Sequence, residues 1–314
     1  MSEQKEFKKF AVIGAGPVGC IVAAFLAHGG YEVTLCDIVP ELVNAGIDPG
    51  LRLEGAENLE AKVTRAITKV DDLAADPPDV IIITVKATVL HLIASAIENF
   101  FHGKMYIVSW QNGIDTELVL AETLGRENIV RAVVNYGCGL VGPGHVHLAF
   151  HHPPHFLEEL DPSGRAAAEG IAAALSKSGL KTERTDHIVG MVWRKSIMNA
   201  CMNPVCAVTG LTMAEVIRDP ILFQIVDNLV KEGIQVARAN EISLGWDYYP
   251  YAINYMKNAG NHKPSMLVDI ENGRRTEVDF INGKFVEYGR RAGIETPYNL
   301  MIQALVKGLE SKGK

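Results

Sequence analysis

The chain has 314 residues and a formal net charge of −7 at neutral pH; 48% of its residues are hydrophobic and 21% are charged. This length exceeds what a single ordinary core organises, so we expect two domains. The negative charge and the absence of a concentrated basic patch argue against a protein that binds nucleic acid or an anionic membrane surface.

The amino-terminal sequence and the cysteines indicate the cellular compartment. Residues 1–9 contain no apolar segment typical of a signal peptide, and no stretch reaches the roughly 18 apolar residues of a membrane span. The five cysteines are odd in number and form no CxxC pair. This pattern is typical of reduced thiols, so the sequence predicts a cytoplasmic protein that does not span a membrane.

The first predicted unit is a strand, a glycine-rich turn and a helix. An apolar run at residues 10–13 is followed by Gly14, Ala15, Gly16, Pro17, Val18 and Gly19. Residues 20–28 fit a helix, and residues 32–36 fit a second strand that ends at Asp37. A GxGxxG sequence alone is weak evidence, but strand, turn, helix and a following acid together are typical of a dinucleotide-binding fold.

Each glycine has its own predicted task. Gly14 permits the tight turn, Gly16 lets the backbone approach a pyrophosphate, and Gly19 lets the helix pack closely on the strand. The carboxylate of Asp37 can accept hydrogen bonds from both ribose hydroxyls and would repel a 2′-phosphate, so the sequence favours NAD, with NADP as the alternative cofactor. A tight turn that binds no nucleotide is the other interpretation.

Two further strands are predicted, each with a polar residue after its carboxyl end. Residues 79–85 precede Lys86, and residues 105–110 precede Asn112. Ligands of open α/β sheets bind beyond the carboxyl ends of the strands, so both residues are candidates for the cofactor site. Either could instead be an ordinary loop residue, and Asn112 could simply form an Asn-Gly turn.

The second half of the chain has helical patterns, and one of them carries a polar stripe. Lys195, Asn199 and Asn203 lie at four-residue spacing in an apolar segment, which places them on one face of a helix. Buried polar groups are costly without partners, so the stripe indicates either a hydrated seam or a functional site. The predicted architecture is a Rossmann-type, mainly parallel α/β domain at residues 1–186 and an all-helical domain at residues 187–314.

Later helices are predicted at residues 220–240, 264–271, 276–292 and from Pro297 onward. Asn272 and Gly273 form a typical helix stop between Ser265 and Glu277. Glu277 is thereby predicted in the first turn of the helix at residues 276–292. Taken alone, it could be an exposed glutamate that complements a helix dipole.

These motifs, in this order and over nearly the whole length, resemble the ketopantoate reductase family of 2-dehydropantoate 2-reductases and related 2-hydroxyacid dehydrogenases. The resemblance rests on five segments: residues 14–19, 84–87, 111–113, 193–203 and 265–283. It implies an oxidoreductase that transfers hydride from a nicotinamide cofactor to a small 2-oxo acid and forms the (R)-2-hydroxy acid.

The resemblance also implies residue roles. Lys195 would be the catalytic lysine and Glu277 its acidic partner, while Asn199, Asn203 and Ser265 would hold the substrate. Lys86 and Asn112 would lie at the nicotinamide end of the cofactor site. An ammonium within hydrogen-bond reach of the C2 oxygen would stabilise the negative charge that hydride transfer produces and donate the proton.

Two residues depart from the family pattern. Relatives usually carry a basic residue at the position of Asp37, where it binds the phosphate of NADP. The aspartate therefore argues against NADPH specificity and against the branch of the family that makes pantothenate. His262 stands where relatives can supply an asparagine to the substrate, which suggests a modified pocket; four nearby tyrosines could line it or simply pack between helices. They are Tyr248, Tyr249, Tyr251 and Tyr255.

The sequence also bears on a metal site, on other functions and on the oligomeric state. Five histidines between residues 145 and 155 lack a zinc-binding signature, so no metal is expected. The alternative functions are reduction of an imine or of a carbonyl compound without a 2-carboxylate, and non-catalytic sensing of NAD(H). A homodimer is plausible for such folds, although no motif establishes one.

Overall fold

A computed structural model describes residues 5–258 and 260–312. The contacts divide the chain into two compact units. The first is the described part of Met1–Gln111 together with Asp115–Ile188, and the second is Asn112–Ile114 together with the described part of Val189–Lys314. Residues 112–114, which follow a strand of the first unit in sequence, therefore belong by their contacts to the second.

The first unit contains two sheets. Its strands are β1 Lys9–Ile13, β2 Glu32–Cys36, β3 Leu51–Gly55, β4 Leu59–Ala61, β5 Arg65–Ile67, β6 Val80–Ile83, β7 Tyr106–Ser109, β8 Ile129–Val133, β9 Tyr136–Gly142, β10 His145–His151, β11 His155–Glu159 and β12 Thr182–Arg184. Its α-helices are α1 Pro17–His28, α2 Pro40–Ala45, α3 Leu90–Glu98, α4 Thr116–Leu124 and α5 Arg165–Lys177.

The larger sheet has eight strands in the order β12-β11-β8-β7-β6-β1-β2-β5. All its neighbouring pairs are parallel except β8 with β11. In the central register Ile13 is paired with Cys36 and with Ile83, which is paired with Ser109. The carboxyl ends of these four strands therefore align along one edge, and the predicted Rossmann-type sheet is confirmed.

A second sheet of four strands, β4-β3-β10-β9, packs on the opposite face of α1. Helix α1 contacts β1 and β2 of the large sheet and all four strands of the small one. Eight consecutive residues of α1, from Gly19 to Leu26, are buried. A helix that is apolar on every side must be covered on every side, and the two sheets provide that cover.

The described part of the second unit consists of helices and the turns and loops between them, without a strand. Its helices are α6 Ile188–Thr209, α7 Met213–Arg218, α8 Pro220–Ala239, α9 Tyr248–Lys257, α10 Ser265–Glu271, α11 Asn282–Ala292 and α12 Pro297–Lys312. The helix predicted for residues 220–240 ends one residue earlier, and those predicted from 264 and from Pro297 begin at Ser265 and at Pro297.

The prediction that Glu277 lies in the first turn of a helix was wrong, because α11 begins only at Asn282. Residues 277–281 form a turn in which the amides of Phe280 and Ile281 both donate to the Glu277 carbonyl at 3.0 Å. Ile281 has φ −108° and ψ −88°, outside the helical region. The carbonyl of Phe280 accepts from the amide of Ile114 at 2.9 Å. A tertiary contact thus interrupts a segment whose apolar spacing is helical.

No helix in the described part of the chain is long and apolar enough to cross a membrane. All five cysteines are free thiols, and burial raises the pKa of Cys20 and of Cys36 to about 12.

Candidate functional site

The glycine-rich turn between β1 and α1 has the geometry that a dinucleotide requires. Gly14 has φ +110°, a left-handed value that side-chain-bearing residues rarely adopt. A Cβ atom on Gly19 would lie 1.7 Å from the Gly14 carbonyl oxygen, whereas a Cβ on Gly16 would have no heavy atom within 4 Å. Gly19 therefore serves packing within the protein, and the open side of Gly16 leaves room for a ligand against the backbone.

Asp37 follows β2 and is fixed against this turn by main-chain donors. The amide of Ala15 donates to its Oδ2 at 2.8 Å, and the amide of Val39 donates to its Oδ1 at 3.0 Å. The amide of Gly14 donates to the Cys36 carbonyl at 2.8 Å, which joins the turn to the end of β2. Each carboxylate oxygen retains acceptor capacity, and the half-buried side chain can use it for ribose hydroxyls.

Together these residues fit a nicotinamide dinucleotide. The residues that would hold it are the turn at residues 14–19, the amino-terminal end of α1 and Asp37. Pro17 is the first residue of α1, where its missing N–H costs the helix nothing. The remaining first-turn amides and the helix dipole favour an anionic group at this position.

Lys86 and Asn112 are half-buried and follow the carboxyl ends of β6 and β7. Lys86 immediately precedes a single 3₁₀ turn, Ala87–Val89. Asn112 begins the segment that packs against the turn around Phe280: Gly113 has φ +103°, and a Cβ on it would lie 2.9 Å from the Cβ of Phe280. The sequence located both residues after their strands but did not reveal the Phe280 contact.

A buried polar network fixes the start of α4, four residues after Asn112. Arg131 on β8 is 3% exposed and lies with its Nε 3.4 Å from Oε2 of Glu117. Its guanidinium also donates to Thr116 and, at 3.1 Å, to Ser109. Burial raises the pKa of Glu117, and the charge of Arg131 opposes that rise. Nothing in the sequence pattern identified this ion pair, because its members are far apart in the chain.

The polar stripe of α6 lies on the face of the helix that its neighbours leave partly exposed. Lys195 and Asn199 are half-buried, and Asn203 is 7% exposed. The same face includes the half-buried Met191, Arg194 and Met198. The opposite face is packed: the ring of Trp193 meets the rings of Phe285 and Tyr288 edge-on, at centroid distances of 5.4 and 5.1 Å.

Arg194 and Tyr248 make contacts that fix α6 at the residue before Lys195. The sequence assigned no role to Arg194, and for Tyr248 it left pocket lining and packing between helices as alternatives. The hydroxyl of Tyr248 donates to the Arg194 carbonyl at 2.5 Å. The Arg194 guanidinium donates to the Leu244 carbonyl at 2.7 Å and lies 5.0 and 4.9 Å from the ring centroids of Tyr248 and Tyr251. Tyr248 is 1% exposed, so its ring packs between helices.

Ser265 and His262 lie at the beginning of α10. Ser265 is its exposed first residue. His262 is half-buried, and its carbonyl accepts from the Met213 amide at 3.2 Å. Burial lowers the pKa of its imidazole and thereby favours the neutral form. The neighbouring Asn261 accepts from the Thr212 hydroxyl at 2.6 Å, which further fixes this loop.

Three of the five histidines between residues 145 and 155 lie close to carboxylates or to each other. His145 lies 2.9 Å from Glu54, and His151 lies 2.8 Å from Glu57 and 3.1 Å from His155. Among the described residues, no group of three or more His, Cys, Asp or Glu side chains is arranged to hold a metal ion.

Comparison with known families and curated sequences gives consistent matches. A model described as ketopantoate reductase PanE/ApbA matches residues 10–158, and the corresponding C-terminal model matches residues 187–310. The 2-dehydropantoate 2-reductase of Pyrococcus horikoshii is 32% identical, over 97% of this chain and 98% of that protein. The 2-dehydropantoate 2-reductase of Archaeoglobus fulgidus is 30% identical over the same shares.

Solved structures give the same result. A D-mandelate dehydrogenase with NADH and anilino(oxo)acetate has a TM-score of 0.87 and 31% identity, over 97% of this chain and 99% of that one. A PanE/ApbA family ketopantoate reductase from Ralstonia eutropha has a TM-score of 0.86 and 30% identity over the same shares. The chain belongs to the ketopantoate reductase family and is an oxidoreductase of the 2-hydroxyacid dehydrogenase type.

Proposed function

We propose that this protein reduces a branched or aromatic 2-oxo acid to the (R)-2-hydroxy acid and uses NADH in preference to NADPH. The observation that carries the proposal is the stripe on one face of α6, where Lys195 and Asn199 are half-buried and Asn203, at 7% exposure, continues the stripe into the buried part of the helix. An apolar helix that aligns an ammonium and two carboxamides on one face, with the ammonium and one carboxamide half-buried, is suited to hold a small polar anion.

The chemistry requires a hydride donor and a proton donor. A bound nicotinamide supplies the hydride. The ammonium of Lys195 donates a hydrogen bond to the C2 oxygen, stabilises the negative charge that develops there and delivers the proton. The carboxylate of Glu277 favours the protonated form of Lys195. Asn199, Asn203 and Ser265 donate to the substrate carboxylate without adding charge, and Lys86 and Asn112 serve the nicotinamide end of the cofactor site.

The preference for NADH is proposed from Asp37. Its carboxylate is held in place by the amides of Ala15 and Val39, so it cannot swing away from a 2′-phosphate without losing both hydrogen bonds. The solved D-mandelate dehydrogenase, 31% identical to this chain, contains NADH. That similarity supports the proposal.

Replacing Asp37 by serine should move cofactor preference towards NADPH. Without the carboxylate, the 2′-phosphate of NADPH is no longer repelled, and the ribose hydroxyls of NADH lose their hydrogen-bond acceptor. The ratio of kcat/KM with NADPH to kcat/KM with NADH should rise at least about tenfold, which corresponds to about 1.4 kcal/mol. Steady-state rates with both cofactors measure this ratio.

The control variant is Asp72→Ser, which removes an exposed carboxylate from the same unit and should leave the ratio unchanged. A wild-type enzyme that already prefers NADPH would contradict the role of Asp37.

The substrate side chain is proposed from the relatives and from the loop before α10. Relatives at about 30% identity include 2-dehydropantoate 2-reductases and a D-mandelate dehydrogenase, so branched and aromatic 2-oxo acids are the candidates. The neutral imidazole of His262 can contact a substrate side chain or donate to its carboxylate without bringing a charge.

The experiment is a substrate screen with both cofactors. Ketopantoate, 2-oxoisovalerate and phenylglyoxylate are each tested for oxidation of NADH and NADPH, and the configuration of the product is determined by chiral chromatography. We expect turnover of at least one acid, with (R) product. Tight NADH binding without turnover of any of them would contradict the proposal and indicate an imine, another carbonyl substrate or a sensing role.

A further inference from the structure

We propose that Asn282 is a positioning residue for the catalytic helix. Its carboxamide replaces a main-chain hydrogen bond that Pro204 removes from α6, and it thereby fixes the helix of Lys195 and Asn199 relative to the turn of Glu277. The inference rests on the proposed function for its effect on catalysis, whereas the hydrogen bond itself can be tested without any substrate.

The sequence of α6 explains why one main-chain hydrogen bond of this helix is missing. Pro204 lies inside the helix and has no N–H, so the carbonyl four residues earlier, that of Ala200, receives no helical hydrogen bond from it. Ala200 is 2% exposed, so solvent does not readily take the place of that donor. A buried carbonyl without a donor is costly, which makes another donor necessary.

The side chain of Asn282 supplies that donor. Its Nδ2 lies 2.9 Å from the Ala200 carbonyl oxygen and 3.0 Å from Oδ1 of Asn299 on α12. Asn282 is fully buried, at 0% exposure. Both protons of the amide are therefore used, one on α6 and one on α12.

A carboxylate fixes the direction of this chain of hydrogen bonds. Glu232 on α8 accepts from Nδ2 of Asn299 at 2.8 Å, from the Asn299 amide at 2.9 Å and from the Tyr298 amide at 2.7 Å. Asn299 must therefore turn its Nδ2 towards Glu232 and its Oδ1 towards Asn282. Asn282 can in turn meet Asn299 and Ala200 only with its Nδ2, so the network admits a single orientation of each amide.

The position of Asn282 relates this network to the candidate site. Asn282 is the first residue of α11 and directly follows the turn closed on the Glu277 carbonyl. Ala200 directly follows Asn199 on α6. The hydrogen bond thus links the segment that carries Glu277 to the part of α6 between Lys195 and Asn203. Small displacements of catalytic groups can lower rates by about 10²-fold, so its loss should affect turnover.

The test is a double-mutant cycle between positions 282 and 204. Asn282→Ala removes the donor, and Pro204→Ala restores a main-chain N–H that can serve Ala200 from within the helix. Each single variant and the double variant are compared by kcat, KM, NADH dissociation constant and urea midpoint. Asn240→Ala is the control. Its Nδ2 donates to the Val236 carbonyl at 2.8 Å and to the Tyr288 carbonyl of α11 at 3.4 Å, but the Asn240 amide donates to the Val236 carbonyl as well.

Asn282→Ala should lower kcat at least about tenfold and lower the urea midpoint, with the NADH dissociation constant unchanged within about twofold. In the Pro204→Ala background, the fold decrease in kcat and the decrease in urea midpoint caused by Asn282→Ala should each be at most about a third of the decrease in the wild-type background. Asn240→Ala should leave kcat unchanged. Asn282→Asp, which has the right shape but cannot donate, should behave no better than Asn282→Ala.

Equal losses from Asn282→Ala in both backgrounds would overturn the inference, as would full kcat in the single variant. If Asn282→Ala does not fold, a folded double variant supports the inference and an unfolded one contradicts it. If the wild type turns over no 2-oxo acid, the proposed function fails. In that case the urea midpoints still decide whether Asn282 serves the Ala200 carbonyl.

Discussion

Replacing Lys195 by alanine should lower kcat/KM for the 2-oxo acid by about 10³-fold or more. The variant loses both the proton donor and the positive charge that stabilises the developing alkoxide. Because the side chain lies on the partly exposed face of α6 and not in its packed face, the fold should be retained. Steady-state kinetics with NADH measures the loss, and circular dichroism checks the fold.

The control separates a catalytic effect from a general one. Lys257→Ala removes an exposed lysine of the same unit, on α9, and should leave kcat/KM within about twofold of the wild type, as expected for an exposed side chain. The NADH dissociation constant of Lys195→Ala, measured by fluorescence titration, should stay within about threefold of wild type. Undiminished turnover in Lys195→Ala would exclude this lysine as the proton donor.

Alanine at Gly19 and alanine at Gly16 should have different effects, although the two glycines belong to one motif. At Gly19 the new Cβ would lie 1.7 Å from a backbone oxygen, so α1 must move away from β1. Because α1 is buried between two sheets, that movement is expensive, and we expect the unfolding free energy to fall by at least about 2 kcal/mol. Urea denaturation of the purified variant measures it.

At Gly16 the Cβ meets no protein atom within 4 Å, and the backbone, with φ −72°, suits any residue. Gly16→Ala should therefore keep the wild-type urea midpoint and raise the NADH dissociation constant at least about tenfold, because the methyl group occupies the closest approach to the pyrophosphate. A stable Gly19→Ala variant would contradict the packing role of that glycine. Unchanged NADH affinity in Gly16→Ala would place the cofactor elsewhere.

The sequence predicted the part of the fold that local patterns determine. The segment from β1 to Asp37 has a short apolar run, glycines at fixed spacing, an apolar helix and a β-branched strand. The structure has β2 at Glu32–Cys36, as predicted, and α1 ending at His28, before Gly29. The helical second half was also recognisable, since its apolar residues recur at helical spacing.

The second sheet was not predicted, because it joins two hairpins, β3–β4 and β9–β10, that lie far apart in the chain. Strand β3, Leu51–Gly55, pairs in parallel with β10, His145–His151, and neither segment carries a signal of the other. A sign of that sheet was nevertheless present in α1, which is too apolar to have a solvent-facing side. Uniform apolarity of a helix predicts cover on both faces, although not what provides it.

For the candidate site, the sequence predicted part of the local geometry correctly and part of it wrongly. The periodicity of α6 located Lys195, Asn199 and Asn203 on one face. The apolar spacing of residues 276–292 did not place Glu277 correctly. That spacing is helical from the start, whereas the first residues form a turn whose Phe280 carbonyl accepts from the Ile114 amide. Nor could the sequence predict the hydrogen bonds that Asn282 and Tyr248 donate to α6, because no sequence pattern shows which carbonyl groups of a helix need an outside donor.

The most direct test of the proposed function compares two substrates that differ only at the group that the stripe is proposed to hold. Phenylglyoxylate and acetophenone share the aromatic ketone, but only the first carries the 2-carboxylate. With NADH and the wild-type enzyme, we expect kcat/KM for phenylglyoxylate to exceed that for acetophenone by at least about 10³-fold, since charged hydrogen bonds are lost with the carboxylate. Measurable turnover of both ketones with comparable kcat/KM, or turnover of acetophenone alone, would contradict a 2-oxo acid reductase.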